Sequence, residues 1–255
     1  MRAALELALL TMRRAGTPRA AALAILLGVP ALAAAFMAVA SAPGDSPMAL
    51  KVRPMLHGTG WEAYLGLVGQ LFSVGLLLGV GVVVSWSFGR EHTDGTFGSL
   101  FALPTSLRQI ALAKFAVLIG WALLVSAGAV LIAVAVGPFV GAGPLGVAVL
   151  PPAGRALAVA GLTIALTTPL ALVASAARGY LPAVGVLIGI VVVTQVTTVA
   201  GAGAWFPYAA PSLWAGMGGA ALADAVTGPQ LLTVLPVLVL GVAGTLRWWD
   251  RAEVS

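Results

Sequence analysis

The chain is poor in charge and in reactive side chains. Among 255 residues there is no cysteine, two histidines, two lysines and only 8% charged residues. Without cysteine there are no disulfides and no thiolate chemistry. A soluble domain carries about 25% charged residues. A chain with about a third of that cannot cover a globule with polar surface, so lipid must solvate most of it. Lys51 and Lys114 are the two lysines, and neither closes a G-x-x-x-x-G-K-[ST] run. A phosphate loop for ATP is therefore excluded. His57 and His92 stand far apart in sequence, and the apolar runs contain no carboxylate. That leaves no metal cluster or acid–base pair within a bilayer, which argues against an intramembrane enzyme. It argues equally against a proton- or sodium-driven carrier, which places an ionisable group at mid-membrane.

What is abundant is apolar: 60% of residues, with mean hydropathy +1.07. A membrane-crossing helix needs roughly 20 such residues. Runs 20–44, 63–89, 115–154, 156–177, 179–223 and 225–246 are uncharged. Glycine and proline break the two longest, at Gly137-Pro138 with Gly143-Pro144, and from Gly201 to Pro211. Each therefore holds one helix plus an uncharged loop. The pattern predicts a single all-α integral membrane domain over 1–255, with six transmembrane helices near 20–41, 65–88, 110–136, 155–176, 181–200 and 229–247. An amphipathic interfacial helix is expected over 1–18, with Arg2, Glu6 and Arg13 in one sector and Leu5, Leu7, Leu9, Leu10 and Met12 in the rest. Residues 1–42 also have the layout of a secretory signal, ending at Ala40-Ser41-Ala42. The apolar run is longer than a typical signal core, and the expectation is that it stays as the first span.

Six spans place both termini on one side. Ten basic residues fall on that side, and three (Lys51, Arg53 and Arg155) on the other. The positive-inside rule puts the termini and loop 89–105 in the cytoplasm of a cell-membrane protein. Trp248-Trp249 is expected to anchor the last span at the interface.

Loop 89–105 is the most structured of the connections. Gly89 is expected to end the second span, and Arg90, Glu91, His92 and Asp94 are too polar for hydrocarbon. Asp94 or Thr96 offers a cap around Gly95. Phe97, Leu100 and Phe101 follow at helical spacing, and Pro104 stops the turn. This predicts a short cytoplasmic helix presenting an apolar face, which either receives a partner or packs on lipid or on this chain. Ser106 with Gln109 has capping-box spacing, and Lys114 lies two turns further on.

The run Arg90-Glu91-x-x-Asp94-Gly95-Thr96, then Leu100, Leu103-Pro104, Arg108 and Lys114, resembles the first cytoplasmic loop of ABC-2 type permeases, the membrane subunits of one class of ATP-binding-cassette exporter. Ala177-Arg178-Gly179-Tyr180-Leu181-Pro182 and Trp205-Phe206-Pro207-Tyr208-Ala209-Ala210-Pro211 are similar to elements of the bacitracin and lantibiotic branch. The resemblance implies that Arg90, Glu91, Asp94, Gly95, Thr96, Phe97, Leu100, Phe101 and Pro104 form a coupling helix seated on an ATPase subunit. It implies two permeases with two ATPases, no cofactor on this chain, and ATP with Mg on the partner. The substrate class it implies is an amphiphile: a peptide antibiotic, a drug or a lipid. The alternative is an ion-coupled secondary carrier or a membrane scaffold acting without an ATPase. Within the spans, Gln70 with Ser73, Thr163 with Thr167, and Thr194 with Thr198 share helix faces. They are candidates for a substrate path, or else side chains that bond to their own helices.

Overall fold

The computed structural model describes residues 2–44, 46–102 and 105–252. Among these residues the regular structure is helical and no strand occurs. Helix α1 is Arg2–Arg14. Six further helices are long and apolar enough to cross a membrane: α2 (Gly16–Ser41), α3 (Trp61–Thr93), α4 (Leu107–Val140), α5 (Val147–Ala176), α6 (Tyr180–Val199) and α7 (Gly228–Asp250). The chain is an all-α, multi-pass membrane protein.

Helix α3 is the hub and packs against α2, α5 and α6. Its most apolar stretch is 67% buried, against 11% in α6 and 17% in α7. α3 is therefore core, whereas α6 and α7 turn most of their apolar surface outward, where lipid belongs. Small residues make the centre possible, because they let backbones approach closely. A Cβ on Gly89 would overlap the backbone of Gly179 and Tyr180, where α6 begins.

Two prolines shape their helices. A proline ring displaces the carbonyl four residues back and offers no N–H. Before Pro30 the ladder of α2 widens into a π turn, Ala24–Gly28. Before Pro169, α5 breaks at Thr167-Thr168. The backbone N–H and the hydroxyl of Thr168 both donate to the Ala165 carbonyl, at 3.2 and 2.8 Å. α7 seats against this break through Gly241, where a Cβ would come within 2.7 Å of Pro169 N and Thr168 Oγ1.

Several expectations change. The second span does not end at Gly89: α3 continues to Thr93, and Gly89 serves close packing instead of termination. The lead helix is shorter than 1–18, because Ala15 is extended (ψ 145°) and residue 16 already belongs to α2. α1 also lies against α4. It docks through Ala4, Ala8 and Met12, which are buried, while Leu7, Leu9 and Leu10 are exposed. The Arg2 side chain lies outside the described residues. Trp249 is not an interfacial anchor: it is fully buried, and its indole N–H donates to Ser175 Oγ at 2.9 Å.

Candidate functional site

At one end of the bundle, α3 closes with a Schellman turn. The Gly95 N–H donates to the His92 carbonyl (3.2 Å) and the Thr96 N–H to the Glu91 carbonyl (2.8 Å). Gly95 has φ +68°, which a side chain would strain. This glycine ends α3, and the Thr96 hydroxyl, expected as a cap for the next turn, donates back to the Glu91 carbonyl at 3.5 Å. Asp94 instead pairs with Arg90 at 3.6 Å on a half-open surface, and the Arg90 guanidinium sits 4.9 Å over Trp86.

The chain then makes a 3₁₀ turn over Phe97–Ala102. With three residues per turn, positions i and i+3 eclipse. Phe97 and Leu100 therefore share the inner side, and Leu100 is buried. Phe101 is rotated away and stays 38% exposed. Of the three residues expected on one face, Phe97 and Leu100 pack on this chain, one of the outcomes left open, and Phe101 does not share their side. Phe97 stacks on His92 (ring centroids 4.1 Å apart) and meets Trp248, Trp249 and Phe101 at 6.1, 5.7 and 5.8 Å. Pro104 and Leu103 lie outside the described residues. Ser106 Oγ accepts from the Gln109 N–H (3.3 Å) and opens α4.

Beneath the turn lies a buried ion pair. Lys114 Nζ donates to Glu91 Oε1 and to the Ser87 carbonyl, each at 2.5 Å. Their side chains are only 9% and 13% exposed. The ammonium also lies 5.3 and 5.1 Å from the Phe88 and Trp249 rings. So Glu91, expected to pair in this chain or with a partner, pairs within the chain, and it lies inside the continuous helix α3. The pair ties the end of α3 to the start of α4 across the turn, and α1 covers it.

Sequence reasoning missed the other wall. α5 also ends in a Schellman turn: the Arg178 N–H donates to the Ser175 carbonyl and the Gly179 N–H to that of Ala174. Here an arginine, at φ +53°, occupies the left-handed position. Arg178, Arg247 and Arg251 line a cleft of about 810 Å³ together with Phe97, Phe101 and Trp248. Among the described residues no carboxylate pairs with any of the three arginines. The cleft is therefore basic and aromatic, suited to an acidic, apolar contact. The available signal was Arg247 and Arg251 bracketing the tryptophan pair at the end of the last span.

Arg90, Glu91, Asp94, Gly95, Thr96, Phe97, Leu100 and Phe101 all gather at this turn. The candidate path residues have partners within the chain. Ser73, Thr163, Thr167, Thr194 and Thr198 each spend their hydroxyl proton on a carbonyl of their own helix, at 2.7–2.8 Å. Gln70 donates to the Met55 carbonyl at 2.8 Å.

The family model for ABC-2 family transporter proteins matches residues 18–196, which includes the whole turn. The chain belongs to the ABC-2 transporter family. It is accordingly a membrane component of an ABC transporter, in a family whose members work with an ABC ATPase. The match is to the family and does not single out the bacitracin and lantibiotic branch. No curated protein and no solved structure matches the chain.

Proposed function

We propose that the chain is the permease subunit of an ATP-driven exporter, and that the turn from Glu91 to Ala102 is where its ATPase docks. Two permeases would form the pore and two ATPases would hold ATP with Mg. Both termini and the turn would lie in the cytoplasm. The observation that carries the reading is the mounting of the turn. A glycine reversal, a buried ion pair and an aromatic seat hold it to α3, α4 and α7 at once, while Phe101 stays half-open beside a basic cleft. A push on Phe101 would reach three spanning helices without bending a loop. The apolar side chains on the inside of the turn, Phe97 and Leu100, pack on this chain, so Phe101 and the cleft are the contact. ATP-driven closure of the ATPases would rock those helices and release an amphiphile (a peptide antibiotic, a drug or a lipid) on the far side.

The test is affinity purification from detergent-solubilised membranes, comparing the wild-type chain with Phe101→Asp. Co-purification of an ABC ATPase with the wild type, and its loss with the variant, supports the reading. Absence of an ATPase from both samples refutes it and favours a carrier or scaffold acting alone.

A further inference from the structure

A second cavity, of about 680 Å³, opens at the opposite end of the bundle. Its walls come from the start of α3, the start of α5 and the 215–224 segment. Its floor is apolar and small: Leu65, Gly66, Gly69, Ala156 and Val159. Its rim carries two carboxylates, Glu62 and Asp224. These are the only described carboxylates at that end of the molecule. Neither forms an ion pair among the described residues.

The arginine that lines the cavity forms no salt bridge with either carboxylate. The Arg155 guanidinium also lines the cavity, but it donates to the Trp214 carbonyl and stacks on the Trp214 ring at 5.0 Å. The sum is an apolar floor and two exposed carboxylates that form no ion pair among the described residues. Carboxylates placed beside a low-dielectric wall attract a cation more strongly than in open water. An inorganic cation would not need the apolar floor, and a neutral apolar molecule would not need the carboxylates.

We propose that this cavity binds an amphiphilic cation, with its ammonium between Glu62 and Asp224 and its apolar body on the Gly66–Val159 floor. The same chemistry is offered by a free lipophilic amine and by an ethanolamine-headed lipid. Binding requires neither ATP nor the ATPase, so the inference stands or falls apart from the exporter reading.

The experiment uses the full chain in phosphatidylcholine nanodiscs, titrated with dodecyltrimethylammonium and, separately, with dodecyl sulfate. A parallel arm measures phosphatidylethanolamine retained by native mass spectrometry. The expected result is saturable binding of the cation or selective retention of the lipid. Either signal should weaken about tenfold in the Glu62→Gln/Asp224→Asn double variant. Gly66→Leu tests the site without touching charge, because a Cβ there meets nothing within 4 Å. It should abolish binding by filling the floor while leaving the melting temperature unchanged. Binding of the amine alone, or of the lipid alone, identifies the source. Equal affinity for cation and sulfate, binding unaffected by both variants, or saturable binding in neither arm overturns the proposal.

Discussion

At the residue scale, the Glu91–Lys114 pair carries the sharpest prediction. Removing one partner of a buried pair strands the other, at a cost of about 3–5 kcal/mol, whereas replacing both is often nearly neutral. Lys114→Met alone should therefore lower stability in detergent sharply. Glu91→Gln with Lys114→Met should recover most of the loss, which a double-mutant cycle by chemical denaturation will measure. The surface pair Arg90–Asp94 should contribute only about 0.3–0.5 kcal/mol. Gly89→Val is a steric counterpart: its side chain would enter the Tyr180 backbone. Overpacking of that kind costs about 1–3 kcal/mol and should lower the melting temperature.

At the element scale, two Schellman turns set the geometry of the candidate site, and one has the better residue for it. Gly95→Ala should lose roughly 1 kcal/mol from the positive φ. Because it redirects the 3₁₀ turn, it should also reduce ATPase coupling more than ATPase assembly. Arg178→Gly should do the reverse locally and stabilise the end of α5 by up to about 1 kcal/mol, read as a higher melting temperature. The sequence made the six spanning helices legible because hydrophobic runs and glycine–proline breaks are local signals. It also located the turn, because Gly95 and Ser106 act on their own neighbours. It misjudged the turn's face: helical spacing from Phe97 to Phe101 assumes 3.6 residues per turn, and the segment winds at three. It missed the aromatic seat entirely, since His92, Phe97 and Trp248-Trp249 meet only when the last helix returns beside the second span. The buried position of Trp249 is a tertiary fact that its place at the end of an apolar run does not carry.

At the scale of the whole molecule, the lack of cysteine makes sidedness easy to measure. Ser99→Cys and Leu145→Cys each introduce a single thiol on an exposed position, at opposite ends of the bundle. In intact cells a membrane-impermeant maleimide should label Leu145→Cys and spare Ser99→Cys until the membrane is opened. The opposite result would invert the orientation inferred from the basic residues. The ends are joined by α3, an uninterrupted helix of 33 residues, about 50 Å long at 1.5 Å per residue. Glu62 stands in its first turn and Glu91 in its last. The cavity and the turn are therefore mounted on the two ends of one rod, whereas α5 beside it is jointed at Pro169. A tilt of that rod cannot be absorbed along its length. Linkage makes such coupling reciprocal for binding: a cation held at Glu62 would shift the affinity with which the ATPase grips the far end, and the ATPase would shift the affinity for the cation by the same factor.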